Sequence, residues 1–381
     1  MKIEQLQWSV QQGWQSESSK HSAPNAAEVQ LVLVFGSSEG LNPDRVQDLA
    51  QRYPHAYLMG CSTAGEICGT QVSDDAIVVT AIQFEHTQVQ GYHVQLQPNE
   101  SSLDLGDRLG AQIDIANLKH VFLLSDGLQV NGSELVRGLQ QHLPSGVTVT
   151  GGLSGDGDRF ERTQVLCNGK WAEGKVVAVG LYGDRLVVGY GSLGGWSAFG
   201  PERRITEAQG NVLYQLDGQS ALDLYKTYLG DHASELPAAG LLFPLSLKST
   251  SDQQPALVRT ILSIDETTQS LTFAGDMPEG SVAQLMHASF DHLVDGAMTA
   301  AETCLKQHTK QPELAILISC VGRKLLLKQR IEEEVEGVQE ILGEETRLTG
   351  FYSYGEIAPF AQGTTCELHN QTMTITTLAE V

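Results

Sequence analysis

Two distant stretches of the chain share the frame G-x-x-x-x-G-E-I, and this repetition constrains the fold more than any other feature. The first is GCSTAGEI at residues 60–67, and the second is GFYSYGEI at residues 350–357. Each follows a short segment, AYLMG or TRLTG, that is predicted to form a strand. The chain is therefore predicted to form the same glycine turn twice, each time at the end of a strand.

The segments that precede the turns also repeat. LVLVF at 31–35 predicts a strand, and Asn42-Pro43 supplies a helix cap followed by proline at the first helical position. In the second copy, LAILISCVGR at 314–323 precedes a charged helical stretch at 324–343. A third, looser copy begins with HVFLLSDGL at 120–128 and ends with LSGDGD at 153–158, without the Glu-Ile ending. The sequence thus repeats a strand–helix–strand–glycine-turn unit.

These units predict an α/β (α+β mixed) fold with two related lobes of mixed β-sheet and covering helices. A helix that connects two strands of one sheet makes those strands parallel and covers a face of the sheet. Antiparallel hairpins are predicted in four further stretches, which alternate in polarity or pair across glycine and asparagine turns: 74–84, 87–97, 175–193 and 365–380.

A chain of 381 residues is longer than the chains that usually fold around a single hydrophobic core, so two domains are expected. The sequence changes character over 200–231, where a helix is predicted to begin near Ser220. We predict an N-terminal extension over 1–27, a first domain over 28–219 and a second over 220–381. A helix is predicted over 281–308, with one apolar face formed by Leu285, Phe290, Leu293, Val294 and Met298.

Composition excludes several classes of partner. A net charge of −22 opposes nucleic acids and anionic membrane surfaces, which attract Lys and Arg. The N-terminus lacks the apolar region of a signal peptide, and no stretch approaches the roughly twenty apolar residues that span a bilayer. We expect a cytoplasmic protein without nucleic-acid or membrane partners. Its six cysteines lack CxxC spacing, which favours reduced thiols over disulfides or a zinc site.

The glycine turns are the candidate ligand site, because main-chain N–H groups at strand carboxyl ends commonly line the crevices of α/β sheets. The two glutamates either accept bonds from a ligand ammonium group or bond back onto the turn. The aromatic residues of the second turn either line a pocket or pack in the core. The predicted ligand-binding residues are Gly60, Cys61, Ser62, Thr63, Gly65, Glu66, Gly350, Phe351, Tyr352, Tyr354, Gly355 and Glu356.

No catalytic constellation is recognisable. Cys61 is the best nucleophile candidate, but no histidine or cation follows it at a recognisable spacing, so an inert buried thiol is the favoured interpretation. Neither GxxxxGK[ST] nor a GxGxxG strand-to-helix turn is present, and SGDGD at 154–158 is interpreted as a turn rather than a calcium site. The chain is therefore predicted not to be an enzyme.

Three histidines are candidate axial ligands of a haem iron, which needs only one imidazole beside an apolar pocket. They are His232 in a predicted loop and His287 and His292 in the predicted helix over 281–308. For each of them taken singly, an ordinary surface or packed histidine is the favoured interpretation.

Several motifs in order resemble the FIST family of sensory proteins over nearly the whole chain. The first half contains GCSTAGEI, GGLSGDGDRFERTQVL and GPERRITEAQGNVLYQLDGQSALD, and the second contains GLLFPLSL, LVRTILSID, FAGDMPEGSVAQLM, SCVGRKLLL and GFYSYGEIAP. The resemblance assigns 28–219 to a FIST N-terminal domain and 220–381 to a FIST C-terminal domain. It implies an intracellular sensor of small ligands such as amino acids.

A chain of this size without an output module also resembles the stand-alone nitric-oxide-sensing haem proteins of the NosP type. That resemblance implies haem b as cofactor, nitric oxide as signal and a histidine kinase or cyclic-di-GMP enzyme as partner, and a homodimer is a further expectation. The leading hypothesis is such a haem-based sensor. The alternatives are a sensor of an amino acid or another metabolite without haem and, third, an enzyme that uses Cys61.

Overall fold

The computed structural model describes residues 1–16, 23–236, 238–248, 257–360 and 363–381 of the chain. The strands form three mixed sheets and one antiparallel sheet, and helices pack against them. The predicted mixed α/β class is therefore confirmed. The molecule has two lobes, which we call the body (1–193 and 290–381) and the inserted domain (196–288). The body contains the predicted unit three times.

The first repeat begins with two strands from the region predicted to be an N-terminal extension. Its elements are β1 (Lys2–Ser9), β2 (Gly13–Ser16), β3 (Leu31–Gly36), α1 (Pro43–Arg52), β4 (Tyr57–Ser62), β5 (Glu66–Cys68), β6 (Gln71–Ser73) and β7 (Ile77–Gln83). Helix α1 begins as the sequence predicts, because the Asn42 side chain accepts a bond from the Arg45 N–H at 3.0 Å and proline occupies the first turn.

The second repeat is the copy that the sequence shows most loosely. Its elements are β8 (Gln88–Gln95), α2 (Ser102–Gly110), β9 (Leu118–Ser125), α3 (Gly132–Gln140), β10 (Thr148–Leu153), β11 (Val165–Cys167), β12 (Lys170–Ala172) and β13 (Lys175–Tyr182).

The third repeat begins with β14 (Leu186–Leu193), and the inserted domain then interrupts it. The inserted domain contains β15 (Trp196–Gln209), β16 (Val212–Leu216), β17 (Gln219–Ser220), α4 (Ala221–Leu229), β18 (Leu245–Lys248), β19 (Leu257–Arg259), β20 (Ile261–Asp265), β21 (Ser270–Phe273) and β22 (Val282–Ala288). The repeat resumes with α5 (Phe290–Leu305), β23 (Leu314–Cys320), α6 (Val321–Leu327), α7 (Ile331–Leu342), β24 (Arg347–Ser353), β25 (Gly355–Pro359), β26 (Cys366–His369) and β27 (Met373–Glu380).

Each mixed sheet is completed by a hairpin from another repeat. Hairpin β11–β12 of the second repeat pairs with β4, hairpin β25–β26 of the third pairs with β10, and hairpin β5–β6 of the first pairs with β24. The three repeats therefore exchange hairpins in a closed cycle. No repeat forms its complete sheet alone, so the body is one folding unit rather than three.

Alternate side chains of the central strands enter two different apolar layers. Leu33 and Phe35 of β3 join a cluster with Phe122 of β9 and Ile316 of β23, so one face of each mixed sheet contributes to a common core. Val34 instead packs in the layer that contains residues of α1. Burial on both faces explains why these strands are continuous apolar runs.

The hairpins predicted within 74–97, 175–193 and 365–380 are wrong, although strands occupy these stretches. Strands β7 and β8, β13 and β14, and β26 and β27 are consecutive in the chain, yet the members of each pair lie in different sheets. Each short connection carries the chain from one sheet to another. The sequence does not distinguish such a connection from a hairpin, because both contain alternating polar and apolar residues and the same turn residues.

The helix predicted over 281–308 is wrong in its first part. Residues 282–288 form β22, which pairs with both β15 and β18, and α5 begins only at Phe290. Ser289 caps the helix by accepting a bond from the His292 N–H at 3.3 Å. Leu285 therefore belongs to a sheet, and Phe290 is exposed. Sheet pairing outweighed helical spacing here.

The inserted domain has its own apolar core, formed by residues such as Leu213, Tyr225 and Phe273. Its sheet takes strands from both sides of the domain boundary predicted near Ser220. Two neighbouring chain crossings join it to the body, because Trp196 at the start of β15 pairs with Ala288 at the end of β22. Among the described residues, no helix combines the length and apolar character needed to cross a membrane.

Candidate functional site

The two predicted glycine turns lie inside the body. All twelve residues predicted to bind a ligand are buried. The turns also contact each other directly: the Ala64 N–H donates to the Tyr352 carbonyl, and the Tyr352 N–H donates to the Gly65 carbonyl, both at 2.8 Å. The turn of the second repeat joins them through the Gly155 N–H, which donates to the Ser62 carbonyl at 2.9 Å. The turns of all three repeats thus pack together.

The two glutamates of the repeated frame bond back onto their own repeats. Glu66 accepts bonds from the Thr63 hydroxyl at 2.5 Å and the Ala76 N–H at 3.1 Å. Glu356 accepts from the Ser353 hydroxyl at 2.7 Å and the Thr372 N–H at 3.1 Å. Of the two roles open from sequence, the structure shows the one that holds the turn. Burial raises the pKa of each carboxyl to about 8.

The second repeat uses a different residue for the same purpose. The Asp126 carboxylate accepts bonds from the Thr163 hydroxyl at 2.9 Å and from the Gly174 N–H at 2.7 Å, immediately before β13. Ala76 and Thr372 occupy the matching places before β7 and β27. The sequence shows Asp126 at the end of the apolar run HVFLLSD, but nothing in the spacing connects it with the Glu-Ile frame.

Glycines in the frame let parallel strands approach closely. A Cβ on Gly60 would lie 2.0 Å from the Val34 carbonyl oxygen, and one on Gly350 would lie 1.8 Å from the Leu317 oxygen. Cys61, next to Gly60, belongs to the common core, and burial raises the pKa of its thiol well above the ordinary value. A thiol that stays protonated is a poor nucleophile.

The aromatic residues of the second turn have three different roles. Phe351 packs on Phe35 with ring centroids 4.7 Å apart. The Tyr352 hydroxyl donates to Glu334 at 2.8 Å, within a buried network that also contains the Arg323–Glu334 ion pair. Tyr354 stacks on Phe160, donates to Asp156 and lines a cavity of about 240 Å³ between the two lobes. Core packing thus accounts for Phe351 and Tyr352.

Asp156 gives the SGDGD segment a structural role. Its carboxylate accepts bonds from the N–H groups of Phe160, Glu161 and Arg162 at 2.8–3.0 Å, as well as from the Tyr354 hydroxyl. These bonds fix the loop that leads to β11, in agreement with its interpretation as a turn.

A larger cavity, of about 620 Å³, lies between the body and the inserted domain, and we call it the junction cavity. Helix α3 and strand β26 form one wall, and strands β18 and β19 with the segment after β21 form the other. The lining is mainly apolar with a few charged groups. It consists of Ser133, Val136, Arg137, Gln140, Gln141, Leu247, Leu257, Arg259, Asp276, Pro278, Ser281, Thr365, Cys366, Glu367 and Leu368.

Arg259 is the distinctive polar group of this cavity. It is 3% exposed, although it lines the cavity. Its guanidinium donates to the carbonyl oxygens of Leu368 at 2.9 Å and Asp276 at 3.2 Å. Desolvation lowers the pKa of Arg259 to about 10, so the group is still charged at neutral pH. Because Leu368 belongs to the body, Arg259 also connects the lobes.

Asp276 connects the lobes from the side of the inserted domain. Its carboxylate accepts a bond from the Asn131 amide at 2.9 Å and lies 3.4 Å from the Arg137 guanidinium. The remaining acid in the lining is Glu367, whose pKa is raised by burial.

Sequence analysis missed this site. The signal was an arginine inside the apolar strand LVRTIL, but its position opposite α3 is visible only in the structure.

The three candidate haem ligands lie outside the junction cavity, and all are exposed. The His232 ring lies 5.5 Å from Phe243, and the His287 ring lies 5.5 Å from Phe199. His292 lines an open depression beside Trp196. A haem site needs an apolar enclosure next to its imidazole. In the described residues, His232 and His287 each lie beside a single phenylalanine ring and His292 lies in an open depression, so none of the three adjoins such an enclosure.

The described part of the chain also contains no group of three or more His, Cys, Asp or Glu side chains placed to hold a metal ion. All six cysteines are buried, and none forms a disulfide with another described cysteine.

Sequence comparison identifies the family. The FIST N domain matches residues 30–219, and the FIST C domain matches residues 221–359. The chain belongs to the FIST family. FIST domains are associated with small-ligand sensing in signalling. In this FIST protein, the junction cavity is lined by both matched regions. Helix α3 belongs to the region that matches the FIST N domain, and β19 belongs to the region that matches the FIST C domain.

Two individual proteins are similar to this FIST chain. An uncharacterised protein of Methanocaldococcus jannaschii is 22% identical over 376 aligned residues, which cover 87% of this chain and 70% of the relative. A solved cyanuric acid hydrolase aligns over 100% of this chain and 99% of its own, with 8% identity and a TM-score of 0.35. A likeness that weak gives no information about activity.

Proposed function

We propose that this FIST protein is a cytoplasmic small-ligand sensor whose ligand binds in the junction cavity and whose response is transmitted to a partner protein. The observation that carries the proposal is a cavity between two lobes with a buried, charged arginine in its wall. Its volume lies within the range of about 300–1,000 Å³ that is common for small-molecule sites, which also occur preferentially at domain interfaces.

A ligand in this place contacts both lobes, so its binding energy favours one relative position of the lobes over others. The body contributes α3 and β26, and the inserted domain contributes β18, β19 and Asp276. A partner that contacts both lobes would respond to that shift. The partner classes we propose are a histidine kinase or a cyclic-di-GMP enzyme, as the sensory family suggests.

The test is a screen of amino acids, organic acids, amines and nucleosides against the full chain by thermal unfolding and calorimetry. We expect at least one compound to raise Tm by several degrees at saturation, since a ligand that binds only the folded state stabilises it. Ser281→Trp adds a large side chain at a partly exposed position of the lining and should abolish that increase. Binding that Ser281→Trp leaves unchanged would reject this site.

A haem-based nitric oxide sensor is the second candidate. The favouring observation is that His232 and His287 each contact one member of the Phe199–Phe243 pair, whose ring centroids lie 6.3 Å apart. Titration of the chain with hemin should produce a Soret band if this candidate is right. The band should shift or disappear in one of the variants His232→Ala, His287→Ala and His292→Ala. A spectrum of free hemin alone would remove haem b and nitric oxide from the proposal.

A further inference from the structure

The junction cavity contains a positive charge that forms no close ion pair with a described carboxylate. Arg259 makes hydrogen bonds to three carbonyl oxygens, those of Leu368, Asp276 and, at 3.5 Å, Val258. Within the described residues, no carboxylate lies within 4 Å of its guanidinium, the limit that defines the ion pairs of this structure. Carbonyl dipoles only partly compensate the loss of hydration that a buried charge suffers.

The two acids that influence this charge electrostatically are Glu367 and Asp276. Asp276 interacts with Asn131 and Arg137 of the body. Glu367 is half-buried, and burial raises its pKa. Neither carboxylate lies within 4 Å of the Arg259 guanidinium, so both stabilise its charge only at longer range. Arg259 is therefore a buried cation in the cavity wall that no described carboxylate contacts directly.

A second polar group in the cavity wall lies beside Arg259. The Ser133 hydroxyl oxygen of α3 is buried and has no hydrogen-bond partner among the residues that the structure describes. A Cβ added to Gly275 would lie 2.9 Å from Arg259 Nε and 3.1 Å from Ser133 Oγ, so the two groups flank the same point. One donor comes from each lobe. The rest of the wall is largely apolar, with Val136, Leu247, Leu257 and Leu368.

We propose that the ligand of the junction cavity is an organic carboxylate with an apolar body and no required ammonium group. Its carboxylate accepts hydrogen bonds from the Arg259 guanidinium and the Ser133 hydroxyl, and its apolar part packs on the leucine and valine side chains of the wall. Arginine suits this task because its planar group stays charged and matches the geometry of a carboxylate. The inference rests on the proposed sensor function and specifies the ligand class.

The experiment compares acids with their neutral amides on the full chain by calorimetry. The probe pairs are hexanoate and hexanamide, phenylacetate and phenylacetamide, 3-phenylpropionate and 3-phenylpropionamide, and L-phenylalanine and L-phenylalaninamide. We expect at least one of the three simple carboxylates to bind and its amide to bind at least about tenfold more weakly, as loss of a charge-assisted bond predicts. This comparison uses the unaltered protein and does not depend on any variant folding.

Variants then locate the effect. Arg259→Met should weaken binding of the carboxylate by about 10- to 100-fold, and Arg259→Lys should weaken it less because the charge is kept. Arg162→Met is the matched control, because Arg162 is an exposed arginine of the body that pairs with Glu173 and does not line the junction cavity. It should change the affinity by no more than about threefold. Ser133→Ala should lower the affinity by a smaller factor than Arg259→Met.

The outcomes separate the ligand class from the sensor function. Equal binding of acids and amides, binding that requires the ammonium group of phenylalanine, or unchanged binding in Arg259→Met would overturn the carboxylate inference. If neutral probes bind and Ser281→Trp prevents it, the junction cavity still serves as a ligand site and only the carboxylate class is wrong. If no probe of either kind binds, the inference is rejected, and the wider metabolite screen decides the proposed function.

Discussion

At the scale of single residues, three buried acidic side chains each fix the turn of their own repeat in this FIST protein. Glu66, Asp126 and Glu356 each accept the N–H that precedes the last strand of a repeat, and each also accepts a hydroxyl bond. In the second repeat, Asp126 after β9 has the role that Glu66 after β4 and Glu356 after β24 have in the other two repeats. This structural role explains why the frame contains glutamate at a buried position.

The raised pKa values of Glu66 and Glu356 predict that stability decreases as pH rises. Both carboxyls have a pKa of about 8 in the folded protein, above the ordinary value of 4.5. Their contribution is complete below about pH 4.5 and is lost as the pH rises toward 8, at roughly 1.4 kcal/mol for each unit of pKa difference. The variant Glu66→Gln/Glu356→Gln keeps the shape and should flatten the free energy of unfolding between pH 5 and about 8.

Urea unfolding at several pH values measures this effect. Glu340→Gln, at an exposed position of α7, is the control and should leave the pH dependence as it is. An equally steep loss of stability in the double variant would show that other groups cause it.

At the scale of elements, a glycine makes each close pairing of parallel strands in the body possible. Gly60, Gly151 and Gly350 lie opposite Val34, Leu123 and Leu317 in the three sheets. A Cβ at any of them would lie 1.8–2.0 Å from a backbone oxygen of the partner strand. The first glycine of the repeated frame therefore serves strand packing, which a sequence pattern cannot distinguish from a role at a ligand.

Gly350→Ala tests this explanation. Because the backbone of β23 cannot move without disturbing the common core, we expect the free energy of unfolding to fall by about 3 kcal/mol, the upper range for overpacking. Gly69→Ala is the control: its φ of +58° is strained for alanine, but its Cβ would meet nothing within 4 Å, so a loss of about 1 kcal/mol is expected. Equal losses in chemical denaturation would contradict a packing role.

At the scale of the whole molecule, the two lobes meet at a narrow connection and across the cavities. The chain leaves the body at Gly194 and Gly195, where the Gly194 carbonyl accepts a bond from Arg323 and a Cβ on Gly195 would lie 2.0 Å from the His292 oxygen. On the far side, Asp276 and Arg259 contact the body. Close packing thus holds the two lobes together at the chain connection, whereas polar contacts hold them together beside the junction cavity.

Removing a polar contact should therefore loosen the lobes without unfolding either of them. In Asp276→Ala, the Asn131 and Arg137 contacts are lost, and we expect a broader distribution of distances between the lobes. Dyes at Gln141→Cys and Glu279→Cys report that distance by single-molecule energy transfer, because both positions are exposed and all six native cysteines are buried. Asp295→Ala, on the exposed face of α5, is the control. Identical distributions in Asp276→Ala and the unaltered protein would show that Asp276 does not hold the lobes.

The sequence by itself determined the local elements and their repetition. Apolar runs such as LVLVF, the Asn42 cap and the glycine turns depend on neighbouring residues, so the strand–helix–strand unit was predictable, and the family resemblance followed from its motifs. Pairing between distant segments was not predictable, because a strand after a short turn looks the same whether it folds back or enters another sheet. The predicted hairpins and the first part of the helix over 281–308 failed for that reason.

Tertiary structure alone decided which residues are available to a ligand. Hairpin exchange buried Glu66 and Glu356 at the junction of three repeats, and insertion of a domain into the third repeat placed Arg259 opposite Ser133. A cavity between two lobes depends on surfaces far apart in the chain, and no local pattern encodes their approach.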